Sequence, residues 1–113
     1  MADLQRLSPS VRKILEELRA GLEKLYENKL EQIILYGSYA RGEERPPDSD
    51  LDVIAILADY EDRWGEVKRT SQLVSDLSLA YEVSVSLLLV RRQEWEKGEE
   101  LLYSNVREEG ITA

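Results

Sequence analysis

Leu35-Tyr36-Gly37-Ser38-Tyr39-Ala40-Arg41-Gly42, followed after a loop by Ser49-Asp50-Leu51-Asp52-Val53, decides how the rest of the chain reads. The residues before it, Gln32-Ile33-Ile34-Leu35-Tyr36, are short, β-branched and bounded by Gly37, the pattern of a buried strand. Gly37 lets backbone come close to a ligand, and Ser38 with the amides after it can receive phosphate oxygens. A Gly-Ser dipeptide after a strand is also a commonplace turn. Asp50 and Asp52 sit at the start of the next strand, where alternate residues point the same way with Cα atoms roughly 6.5–7 Å apart. Two carboxylates so placed can converge on one magnesium ion or a pair of ions, and without a cation or hydrogen bonds their repulsion is unfavourable. The plainer alternative makes Asp48, Ser49 and Asp50 turn residues and leaves Asp52 solvated. A calcium loop starting at Asp48 fails, because Val53 stands where glycine is needed and Asp59 replaces the bidentate Glu.

Working outward, Ser8 and Pro9 predict a helix start, and Val11, Ile14, Leu15, Leu18, Leu22, Leu25 and Tyr26 recur at helical spacing until an exit near Asn28 and Lys29. The segment Gly42 to Ser49, with Pro46, Pro47 and Asp48, reads as an exposed loop. The second strand spans about Asp50 to Leu57. Leu51, Val53, Ala55 and Leu57 lie on one side, and Asp50, Asp52, Ile54 and Ile56 on the other, so the strand lies inside a sheet. Trp64, Val67, Leu73, Val74 and Leu77 predict a helix over 63–80 packed on that sheet, and Glu82 to Val90 a third strand parallel to the second. Short helices over 93–97 and 99–108, with Gly110 as a stop, complete a small mixed β-sheet with helices packed on it, an α/β class.

Length and composition bound the chemistry. With 113 residues the chain fits one domain, 1–113. It has no cysteine and no histidine, which excludes disulfides, Cys/His zinc sites, thiol nucleophiles and imidazole acid–base catalysis. Any catalysis rests on carboxylates, hydroxyls, cations or an oxygen-held metal. A net charge of −8 argues against direct nucleic-acid binding. No apolar run reaches the ~20 residues of a membrane span, and Met1-Ala2-Asp3-Leu4-Gln5 lacks the form of a secretion signal, so a cytoplasmic location is expected.

The unit formed by residues 37–42 and 49–53 resembles the signature of the DNA-polymerase-β-like nucleotidyltransferase superfamily, and most closely its minimal nucleotidyltransferases, the antitoxins that accompany HEPN-type ribonuclease toxins. The resemblance implies the polymerase-β-like fold. It also implies ATP as substrate with its phosphates on Gly37 and Ser38, and magnesium on Asp50 and Asp52. Arg41 matches the arginine of the family's Ala-Arg-Gly segment, in a structural or phosphate-directed role. Eleven residues separate Ser38 from Asp50, one more than in small members, a difference the second proline of Pro46-Pro47 absorbs.

One departure matters for catalysis. The family places a third carboxylate on the strand after the second helix, and here Ser84 or Ser86 occupies that place. Alternation predicts Glu82, Ser84 and Ser86 on the aspartate side and Val83, Val85 and Leu87 toward the core, making Glu82 a candidate third catalytic carboxylate beside its ordinary reading as an exposed residue at the strand's start. The resemblance thus implies transfer of AMP to a hydroxyl of a HEPN-type partner, with a partner protein or a second copy completing the acceptor site. The competing readings are a partner- or nucleotide-binding module of weak activity and a structural α/β domain carrying the motif by chance.

Overall fold

The computed structural model describes residues 4–46, 48–98 and 100–113. The readings made of Met1-Ala2-Asp3, of Pro47 and of Glu99 lie outside the described residues. In order come α1 (Pro9–Tyr26), β1 (Leu30–Tyr36), α2 (Ser38–Arg41), β2 (Leu51–Leu57), α3 (Arg63–Tyr81), β3 (Val85–Arg91), α4 (Arg92–Lys97), α5 (Leu101–Glu109) and β4 (Ile111–Thr112). Two 3-10 turns, Leu4–Arg6 and Glu27–Lys29, flank α1.

α1 begins as its sequence dictates. The Ser8 hydroxyl accepts from Val11 N at 3.2 Å, satisfying one of the amides a helix start leaves unpaired, and Pro9 needs no donor in the first turn. Val11, Ile14, Leu15, Leu18, Leu22 and Tyr26 then form one buried stripe. Each fully buried leucine in it, such as Leu18 or Leu22, contributes roughly 1.5–3 kcal/mol from apolar burial.

The sheet is mixed, in the order β3-β2-β1-β4. β1 runs antiparallel to β2 and to β4, and β2 runs parallel to β3 with α3 as the crossover. Period-two alternation divides the core between its faces. On one face Leu51, Val53, Ala55 and Leu57 of β2 join Ile33 and Leu35 of β1 under α1 and α3. On the other, Ile34, Ile54, Ile56 and Val90 pack with Tyr103 and Val106 of α5, and with Trp95 of α4 at their margin. Helices therefore cover both faces.

Three sequence expectations need correction. Trp64 and Val67 do not face the sheet: Trp64 is 64 % exposed, and α3 packs through Thr70, Leu73, Val74 and Leu77 instead. The third strand starts at Val85, because α3 continues through Tyr81 and ends on Glu82, which takes a left-handed conformation at φ 54° as its cap. The two-residue β4 was not anticipated; it is too short to show period-two alternation. Among the described residues, no helix is long and apolar enough to cross a membrane.

Candidate active site

Antiparallel pairing brings the end of β1 beside the start of β2. Tyr36 pairs with Asp52, and Asp52 pairs in turn with Ser86 across the parallel β2–β3 interface. Paired residues share a face, so the three form a row across the sheet on the side away from α1 and α3. Asp50 precedes β2 and is exposed. Close by, Leu51 N donates to Ser84 O at 2.8 Å, tying the start of β2 to the approach to β3.

Gly37 stands at the exit of β1 with φ 78° and ψ −158°, a backbone open to glycine and strained for other residues. A Cβ at this position would meet Asp52 Oδ2 at 2.6 Å, so the backbone of the turn lies flush against the carboxylate. The Gly37 carbonyl accepts from Ala40 N and Arg41 N, both at 3.1 Å, winding the single turn of α2, which Gly42 closes at φ 73°. The Ser38 hydroxyl has no hydrogen-bond partner among the described residues.

Burial holds the Asp52 carboxyl above the usual carboxylate range, Asp50 adds to the shift, and Arg41 opposes it. The Tyr36 phenol is likewise raised, first by burial and then by Asp52. Repulsion between the two aspartates thus registers on the deeper of them. Among the described residues, no ion pair answers either aspartate. Two unpaired carboxylates with an adjacent serine hydroxyl are a hard oxygen donor set, which suits magnesium, a cation that completes its shell with water and phosphate oxygens. Among the described residues, no group of three or more acidic side chains gathers to hold a metal.

Arg41 and Glu109 complete the surroundings of the turn. Arg41 Nε donates to Glu43 Oε1 at 2.7 Å, and its Nη1 donates to both oxygens of Glu109 at 3.1 and 3.2 Å. Glu109 Oε1 also accepts from Gly37 N at 3.3 Å. Sequence reasoning missed Glu109. It lies 72 residues from Gly37, and nothing local marks it except Gly110 at the helix end.

Residues 12–111 match the family described as nucleotidyltransferase domain. The chain belongs to the nucleotidyltransferase family. This nucleotidyltransferase is 30 % identical over 79 residues, 70 % of its length and 78 % of the relative's, to a Methanocaldococcus jannaschii protein named as a candidate protein adenylyltransferase. It superposes with a TM-score of 0.57 and 26 % identity on a crystal structure of a toxin–antitoxin with AMP-PNP, over 86 % of its own chain and 70 % of the other. A nucleotidyltransferase structure from Sulfolobus solfataricus shares the fold at 15 % identity and a TM-score of 0.56, covering 96 % and 80 % of the two chains. Family and relative together support nucleotidyl transfer as the activity.

Glu82 does not join the aspartates of this nucleotidyltransferase. It caps α3 before β3 begins and lines a cleft of about 280 Å³ with Ser8, Val11, Tyr39 and Leu51, on the α1 side of the sheet. Asp52 leaves the opposite face. The period-two argument that linked them does not apply to a residue outside the strand. From Val85 onward the alternation holds: Val85 and Leu89 are buried under α1 and α3, while Ser86 faces Asp52's side.

Proposed function

We propose that the chain, as one nucleotidyltransferase domain, uses magnesium and ATP to transfer AMP to a hydroxyl of a partner protein, in the manner of an antitoxin acting on a HEPN-type toxin. The observation that carries this reading is the contact between the Gly37 backbone and the Asp52 carboxylate, which supports a role for the turn in holding phosphate beside a carboxylate that would hold the metal. Asp50 and Asp52 would hold magnesium, whose charge, when bound, neutralises the triphosphate and the departing pyrophosphate. The Ser38 hydroxyl donates to a phosphate oxygen, and Arg41 directs positive charge toward the same group. The acceptor oxygen bonds to the α-phosphorus as the bond from that phosphorus to the bridging oxygen breaks; pyrophosphate leaves, and the hydroxyl proton passes to a base.

The relative's adenylyltransferase name and the neighbouring toxin–antitoxin structure with AMP-PNP support ATP and a protein acceptor. A net charge of −8 disfavours nucleic acid as acceptor; the proposal places the protein in the cytoplasm, where a partner, or a second copy, would complete the site. A second reading has its own observation: Ser86, not a carboxylate, stands opposite Asp52, which favours a nucleotide- or partner-binding module of weak activity.

Calorimetry decides the first step. Magnesium-dependent ATP binding is expected in the wild type and lost in Asp50→Asn/Asp52→Asn; undiminished binding in the double variant defeats the site assignment. Labelled ATP, magnesium and a HEPN-type partner then test transfer, with a gain of one or more AMP units in the partner's intact mass. Tight association without any mass change, under conditions where ATP binds, selects the binding-module reading.

A further inference from the structure

We propose that Glu109 is a positioning residue for the phosphate end of the site, acting through Arg41 and the Gly37 amide. The inference rests on the nucleotide reading above and extends it to a residue outside the signature segment. One carboxylate touches both ends of the Gly37–Arg41 turn: Oε1 accepts from Gly37 N at 3.3 Å, and both oxygens accept from Arg41 Nη1. With Glu43 on Nε at 2.7 Å, two of the three guanidinium nitrogens are engaged among the described residues, which leaves Nη2 as the donor available there to a ligand.

Each partner needs such a restraint. Glycine has the widest backbone freedom of any residue, and the φ 78°, ψ −158° geometry of Gly37 persists only where neighbours over-determine it. Asp52 bears on one side of that glycine, and Glu109 holds its N–H. Arg41 is a long, flexible cation whose charge already reaches Asp52. Released from Glu109, it is free to fold onto the aspartates and neutralise the groups that would hold the metal. Glu43, exposed and two residues away, restrains only one edge of the guanidinium.

The carrier of Glu109 is itself fixed. Gly110 packs so closely on the Val106 carbonyl and the Ile34 side chain that no Cβ fits, and Ile111 pairs with Leu35 in the sheet. The end of α5 is therefore seated on β1, the strand that delivers Gly37.

An ion pair as exposed as Arg41–Glu109 contributes little to stability, so its effects on folding and on binding separate. Mg-ATP affinity and thermal midpoint are measured for wild type, Glu109→Gln, Glu109→Ala, Arg41→Ala and Arg41→Ala/Glu109→Ala. Glu109→Ala is expected to weaken binding roughly five- to twenty-fold with a midpoint close to wild type. Glu109→Gln, which keeps an acceptor oxygen but no charge, falls between. In the Arg41→Ala background the Glu109→Ala effect shrinks to about twofold or less, the share carried by Gly37. An unchanged affinity in Glu109→Ala overturns the proposal, as does a tighter one, which would make Glu109 an anion competing with phosphate. Equal losses with and without Arg41 also overturn it. A wild type that binds no Mg-ATP overturns the nucleotide reading and this inference with it.

Discussion

Ser86 is the register partner of Asp52 across the parallel β2–β3 pair, and both side chains leave the same face of the sheet. A carboxylate at 86 would therefore stand beside the aspartates, where family resemblance expects a base for the attacking hydroxyl. General-base catalysis is worth about 10²–10⁴ in rate, so Ser86→Asp should raise AMP transfer by at least tenfold. Ser84→Asp, ahead of the strand and exposed, should change it little. Single-turnover AMP incorporation, followed by intact mass, compares the two. Equal rates for both would place the base elsewhere.

Gly37 and Gly42 both have positive φ, but a Cβ at 42 meets open space while one at 37 meets Asp52 Oδ2. Gly42→Ala should therefore cost only the left-handed backbone penalty, roughly 1–2 kcal/mol, and leave nucleotide affinity within about twofold of wild type. Gly37→Ala must also displace the carboxylate, and Mg-ATP affinity should fall by tenfold or more. Thermal melts and calorimetry on the two variants separate backbone strain from damage to the site.

Acidification should weaken magnesium binding from a higher pH than an ordinary aspartate would require, because the Asp52 carboxyl is raised by burial and then by Asp50. Magnesium needs the deprotonated form, so protons compete as pH falls toward the raised value. Asp50→Asn removes one cause, so in the metal-free protein the Asp52 carboxyl itself should titrate at lower pH than in wild type. For folding the sign is opposite to that of a salt-bridged aspartate: the folded chain binds this proton more tightly than the unfolded one, so stability falls as pH rises through the window between the two values. Asp52→Asn should accordingly melt higher than wild type at neutral pH without metal. A lower midpoint would contradict the electrostatic account.

Gly110→Ala should destabilise by about 1–3 kcal/mol, since the added methyl group runs into Val106 and Ile34 and must lift the end of α5 from β1. Chemical denaturation measures the cost. If Glu109 positions Arg41, nucleotide affinity should fall in the folded variant as well.

How much of this was legible in the sequence depended on how local the signal was. Ser8, Pro9 and the apolar stripe of α1 carry their own geometry, and the helix starts where they indicate. The alternation of Leu51 through Leu57 assigned both faces of β2 correctly, because burial on each side leaves a period-two record. Glu82 misled because period two was extended backward across a helix cap whose left-handed conformation no residue type announced. Trp64 and Val67 matched a helical stripe but remain exposed, since apolar spacing does not say which stripe a neighbour will cover. Glu109 was invisible for a different reason: its partners are brought to it by the pairing of β4 with β1, a long-range event without local trace.

The connection between β1 and β2 has a practical consequence for protein engineering. Gly37 and Asp52 are held by paired strands and by their mutual contact, whereas residues 43–46 and 48 are largely exposed and are drawn together by Arg45 N on the Ser49 hydroxyl and by Asp48 and Ser49 amides on the Arg45 carbonyl. A graft inserted just after Glu43, beyond the partner of Arg41 and before that small knot, lengthens a closed loop at little entropic expense and leaves the strand register untouched. The segment is thus a natural port through which a foreign recognition peptide can be mounted beside the chemistry, redirecting what is delivered to it without rebuilding the centre itself.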